Sequence, residues 1–179
     1  MKTGCCAATI LAITLSLAAD ARAGGGIKAE VNAGAVLPVG DLADVAATGF
    51  AVNAYLVFMI TRRFGVEGHV GYHKFGAKEV VPGTEISGAL IPLKVGIVKV
   101  WGPFRRIYTN ASLGVYKGVG DFDETKFGMG PRVGYVIQLG GIKLDLGAEF
   151  HSVFSDPRSY YFGLNVGAIF DLGGGGDEE

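Results

Sequence analysis

From Ile27 onward the chain alternates apolar and polar residues with period two. Between Ile142 and Phe154, Ile142, Leu144, Leu146, Ala148 and Phe150 share one face, and Lys143, Asp145, Gly147, Glu149 and His151 share the other. Between Phe64 and Phe75, Phe64, Val66, Gly68, Val70 and Tyr72 oppose Glu67, His69, Gly71 and His73. Successive side chains of a strand point to opposite faces, so this pattern predicts strands; no 3.6-residue stripe fits it. Six more segments follow the same rule: 27–38, 48–60, 85–98, 105–117, 127–138 and 160–172. At 12 to 14 residues the eight segments exceed the usual strand of about five or six and suit a tilted bilayer crossing.

The connections alternate in length. Arg62-Arg63, Trp101-Gly102-Pro103-Phe104 and Gly140-Gly141 read as tight turns, whereas 39–47, 76–84, 118–126 and 155–159 are longer. Short turns at one end and longer loops at the other predict an all-β, eight-stranded antiparallel transmembrane β-barrel in an up-and-down meander, with both termini at the short-turn, periplasmic end. Composition agrees. Gly contributes 30 residues and hydrophobic residues 49%, yet beyond the N-terminus no apolar run is long enough for a helical span.

A soluble lipocalin-like barrel would show the same alternation, with its apolar face turned inward around a ligand cavity. Aromatic spacing favours the opposite orientation. Phe50 and Phe58, Phe64 and Tyr72, Phe127 and Tyr135, and Phe162 and Phe170 are pairs eight residues apart, each on the apolar face of its strand. Eight residues on a tilted strand climb roughly 20 Å, close to the apolar band of about 25 Å that aromatic girdles bound in membrane barrels. Trp101 and Phe104 fall at the periplasmic girdle.

The polar face then lines the lumen. Apart from histidine it holds Glu30, Glu67, Asp145 and Glu149 against Lys28, Lys94, Lys143 and Arg132. An eight-stranded lumen is narrow enough for side chains to fill, and unpaired buried charge is costly, so this set reads as a plug of ion pairs. Counting registers through the connections predicts Glu67 paired with Lys94 and Arg132 with Glu149. A ring of one charge sign, which a pore would favour, is absent from the pattern.

No catalytic, cofactor or metal site is expected. His69 and His73 share a face but stand about 13 Å apart along an extended strand, too far to chelate one ion alone. His151 and Ser152 are adjacent and point to opposite faces, so the imidazole is poorly placed to activate the hydroxyl. Outer-membrane deacylases resemble a His-x-Ser arrangement; here Val153 holds the third position. Gly173 to Gly176 followed by Asp177-Glu178-Glu179 reads as a flexible tail, with none of the context of a phosphate loop.

The N-terminus reads as an export signal: Met1-Lys2, an uncharged stretch from Cys5 to Ala19, and Ala21-Arg22-Ala23 as a cleavage site. The apolar run is short for a membrane anchor. Cys5 and Cys6 precede that run, which excludes a lipoprotein reading, and the mature chain has no disulfide. Setting aside Lys2, Arg22 and Asp20 from 16 basic and 17 acidic residues leaves 14 against 16, with no basic field for nucleic acid. The expected organisation is a signal peptide over 1–23, a barrel domain over 24–172 and a tail over 173–179.

Ala35-Val36-Leu37-Pro38-Val39-Gly40-Asp41 with Thr48-Gly49-Phe50, Phe64-Gly65-Val66-Glu67-Gly68 through Tyr72, and Thr125-Lys126-Phe127-Gly128-Met129-Gly130-Pro131 together resemble the first, third and sixth strands of the OmpA/OmpX-like outer-membrane β-barrel family. Asn165-Val166-Gly167-Ala168-Ile169-Phe170-Asp171-Leu172 is similar to that family's C-terminal signal for the barrel-assembly machinery, with Asn165, Gly167, Phe170 and Leu172 at its characteristic positions. The resemblance spans about 27–172. It implies a monomeric porin-like barrel in the outer membrane of a Gram-negative bacterium, among lipid and lipopolysaccharide, with loops that contact surface molecules. A narrow pore and a lipid-modifying enzyme are the alternatives. It also implies that Pro92 and Pro131, each lacking a ladder donor, sit at bulges that help curvature. The peptidoglycan-binding domain that follows some members of the family is not expected in this chain.

Overall fold

The computed structural model describes residues 26–173 apart from 83, 103 and 105; the predicted signal segment 1–23 and residues 174–179 of the predicted tail lie outside them. The alternating segments form β1 (Ile27–Val39), β2 (Ala47–Met59), β3 (Phe64–Gly76), β6 (Gly88–Trp101), β7 (Ile107–Gly120), β10 (Ile142–Val153) and β11 (Ser159–Gly173). One further stave is written in two parts, β8 (Thr125–Met129) and β9 (Arg132–Leu139). Neighbours in sequence pair antiparallel around the ring, and β11 closes it by pairing with both β10 and β1. The result is an eight-stave up-and-down barrel with Ile27 opposite Gly173 at the short-turn end. Gly173, expected to begin the tail, is the last residue of β11.

Boundaries shift where loops carry structure of their own. The segment after β1 contains a one-turn helix, α1 (Asp41–Val45), and the β3–β6 connection contains a hairpin of β4 (Lys78–Val81) with β5 (Thr84–Ile86). That hairpin consumes the start of the predicted 85–98 strand. Strand β6 therefore begins at Gly88 and takes in Trp101, expected in the turn.

The two in-strand prolines do not sit at bulges. Val70 pairs with Leu93 and His73 with Leu90, a constant register across Pro92. At Pro131 the pairs Asn110–Arg132 and Leu113–Met129 likewise preserve one register. Each proline omits one donor without displacing the chain. Pro131 keeps its acceptor role, taking a bond from the Phe150 amide at 2.9 Å.

Candidate functional site

The barrel is an inverted amphiphile. Its outer wall exposes Val31, Val52, Val70, Leu93, Val95, Ile97, Leu113 and Leu164, whereas Glu30, Asn32, Asn53, Glu67, Lys94 and Arg132 are buried inside. A solvated barrel would reverse this, because exposed apolar patches of such extent belong to interaction or membrane surfaces. At the loop end the wall carries Phe50, Tyr72, Phe127 and Phe162; at the turn end it carries Phe64, Trp101, Tyr135 and Phe170, with Phe58 half-buried among them. Phe50 lies 6.4 Å from Tyr72 and Phe150 lies 5.1 Å from Phe162, so neighbouring staves contribute to one band of rings.

Inside, side chains from all eight staves meet. Glu149 of β10 pairs with Lys94 of β6, accepts from the Tyr55 hydroxyl of β2 at 3.1 Å, and lies 3.5 Å from His151 Nε2. Arg132 of β9 pairs with Glu30 of β1 and with Asp145 of β10 at 2.5 Å. Its guanidinium also lies over the Tyr55 ring at 4.2 Å and the Tyr108 ring at 5.2 Å. Asn32 donates to Glu30 at 2.7 Å, and Asn53 donates to Asn32 at 3.0 Å. Asn110 of β7 donates to Glu67 at 3.0 Å. Tyr161 of β11 stacks on His151 at 4.3 Å and its hydroxyl lies 2.8 Å from His73 Nδ1.

The predicted pairings are therefore replaced by others. Lys94 faces His69 in the β3–β6 ladder, and its ammonium reaches Glu149, while Glu67 takes Asn110. Arg132 and Glu149 are direct cross-strand partners, yet their side chains diverge to Glu30 and Asp145 on one hand and to Lys94 on the other. Lys143 and Lys28 do not join the interior: both reach Asp171 at 2.6 Å on the turn-end rim. A long stem at the last rung carries its ammonium out to water.

His69 and His73 also depart from their backbone spacing. Both Nε2 atoms bond Asn53 Oδ1, at 2.9 and 2.8 Å, and the ring centroids come within 6.4 Å. Among the described residues no group of three or more His, Cys, Asp or Glu is disposed to hold a metal ion. The His151 imidazole lies inside, 3.0 Å from the Tyr116 hydroxyl, while Ser152 follows it on the opposite face of the strand.

Two apolar clusters flank the network, one toward the loop end and one toward the turn end. Val36, Leu42, Ala46, Phe75, Leu90 and Tyr161 belong to the loop-end one, to which α1 contributes Leu42. Val57, Met59, Val98 and Tyr108 form the turn-end one. At the loop end lies a bowl of about 570 Å³, with Leu42, Leu90 and Val153 in its lining and Asp41, Asp121, Asp123 and Asp156 around it.

Sequence reasoning missed Asn32, Asn53, Tyr55, Asn110, Tyr116 and Tyr161 as members of the network. Their strand parity was the available signal: each falls on the face opposite the lipid-facing residues of its stave. Of the proposed assembly positions, Asn165 is buried inside, while Phe170 and Leu172 are exposed on the wall. Gly167 lies directly over Asn32, where a Cβ would come within 2.3 Å of the asparagine Cβ.

No protein-family model matches the chain, and no match was found among curated proteins. Solved structures do match. Neisserial surface protein A superposes with a TM-score of 0.65 at 14% identity, over 82% of this chain and 97% of that one. The Yersinia pestis outer membrane protein Ail gives 0.53 at 16% identity over 81% and 99%. The N-terminal β-barrel domain of Pseudomonas aeruginosa OprF gives 0.51 at 15% identity over 82% and 99%. Wall, lumen and strand order together give the chain the eight-stranded fold of the small OmpA/OmpX-like outer-membrane β-barrels.

Proposed function

We propose that the chain is a non-enzymatic outer-membrane barrel closed to solutes, whose loop end serves as a contact surface. The filled lumen carries this reading. Charges from staves on opposite sides are joined through hydrogen bonds, and an apolar cluster lies at each end of that layer. A conducting lumen would need a continuous wet path, which fully buried ion pairs and apolar clusters oppose. Refolded protein in a planar bilayer is expected to give no unit current steps; stable unit currents would sink the closed-barrel reading and favour a narrow pore.

On this reading the wall is bathed by outer-membrane lipid and lipopolysaccharide, and the monomer suffices because its sheet has no free edge. The chain is exported through residues 1–23, and Asn165, Gly167, Phe170 and Leu172 serve assembly. The Ail protein has been solved with the heparin analogue sucrose octasulfate. Acidic residues predominate around the loop-end bowl here, so a partner bearing cationic groups fits this end better than a polyanion does.

A further inference from the structure

We infer that the turn end of the barrel is a binding surface for anionic phospholipid headgroups, centred on Arg62, Arg63, Lys99 and Arg106. This rests on the membrane-barrel reading and goes beyond it, since a barrel wall needs only apolar contact with lipid. The Val100 amide donates to the Arg63 carbonyl at 2.8 Å, which holds the β2–β3 turn against the end of β6. The Arg63 backbone thereby stands beside the Val100-Trp101 end of β6, with Arg62 next to it in the same turn. Lys99 Nζ lies 3.8 Å from the Trp101 ring centroid and 5.3 Å from that of Phe64, and Arg106 lies 6.0 Å from that of Phe104. Those rings are exposed on the wall, with Phe104 82% accessible. Such rings settle at the level of the lipid headgroups, so they bring the cations beside them to the depth of the phosphates.

The cations at this end have little internal neutralisation among the described residues. Asp171 is the exposed acid there, and Lys28 and Lys143 already hold it. Guanidinium groups match phosphate oxygens in bidentate geometry, and basic residues near a membrane surface gather anionic lipid. Continuity with the apolar wall selects a lipid headgroup as the occupant: the same side chains that carry the charges flank the rings that enter the bilayer.

Trp101 is the chain's single tryptophan and reports from the site itself. The full chain is refolded into phosphatidylcholine vesicles carrying equal fractions of either brominated phosphatidylglycerol or brominated phosphatidylcholine. Quenching of Trp101 is expected to give a relative binding constant about threefold or more in favour of phosphatidylglycerol at low salt. The preference should fall towards unity in molar salt, where the screening length shrinks to about 3 Å, and in Arg62→Gln/Arg63→Gln. Both replaced residues are exposed, and heat-modifiable migration on gels confirms that the variant has folded; if it has not, the salt series decides. Equal quenching by the two lipids at low salt overturns the inference and leaves the membrane reading intact. Quenching by neither lipid overturns both.

Discussion

Lys94 and Glu149 form an ion pair across the lumen from β6 and β10, staves separated in the ring by two others. The pair is enclosed on all sides, with side-chain exposures of 0% and 1%. Gly130 makes space for it: a Cβ there would lie 2.6 Å from both Glu149 Oε1 and Lys94 Nζ. Breaking a buried pair strands the remaining charge, whereas replacing both partners removes the desolvation cost along with the attraction. Lys94→Met and Glu149→Leu should each cost about 3–5 kcal/mol in urea unfolding from phospholipid vesicles. Lys94→Met/Glu149→Leu should recover most of that loss. Strict additivity of the two single effects would show that the pair is not coupled.

Asp171 provides the contrast. It bridges Lys28 and Lys143, and so ties β11 to both its neighbours, but its side chain is 48% exposed. Solvent and salt weaken such a bridge, so Asp171→Asn should cost under about 1 kcal/mol, and the cost should shrink as salt is added. A loss as large as that at Glu149 would mean that the rim bridge fastens the closing seam.

These two ion-pair sites also mark the boundary of what strand parity reveals. Alternation places Glu30, Glu67, Lys94, Arg132, Asp145 and Glu149 on the inner face because an apolar wall outside and a polar lumen inside impose period two on every stave. Partners do not follow from parity. They depend on how far a side chain reaches across a narrow lumen, so Lys94 passes over neighbouring Glu67 for Glu149, and His69 and His73 converge on Asn53 despite their separation along the strand. Lys143 has inward parity and a rim position, because its stem is long enough to leave. Tyr55, Tyr116 and Tyr161 escape a hydropathy reading since their rings count as apolar, while their hydroxyls are what the network uses. The hairpin β4–β5 was hidden for a simpler reason: a short loop hairpin has too few residues for a periodic signal.

Inward glycines are a further condition of the interior packing. A Cβ on Gly134 would lie 2.2 Å from Tyr108 Cζ, and that ring is packed with Val57, Met59 and Val98 in the turn-end cluster. Gly68, on the wall, has nothing within 4 Å of the same position. Gly134→Ala should therefore cost about 1–3 kcal/mol by overpacking. Gly68→Ala should be neutral or slightly stabilising. Adding Tyr108→Leu to Gly134→Ala should relieve the clash. If the two alanine variants unfold alike in urea, the glycines are not there for packing.

The orientation of the wall has the most direct test. Val95 lies midway along β6 and is 70% exposed, whereas Leu172 is 60% exposed near the turn end of β11. In water both positions would accept arginine with little change. In a bilayer an arginine at the midplane costs about 2–4 kcal/mol and one near the interface about 0–1. Val95→Arg should thus lose several-fold more folding free energy than Leu172→Arg when each is refolded into vesicles. The depth dependence is the decisive feature, because a merely structural loss at Val95 would be the same in detergent of any chain length, whereas the bilayer penalty follows the thickness of the apolar layer. Equal and small effects at the two sites would mean that the apolar face does not meet lipid.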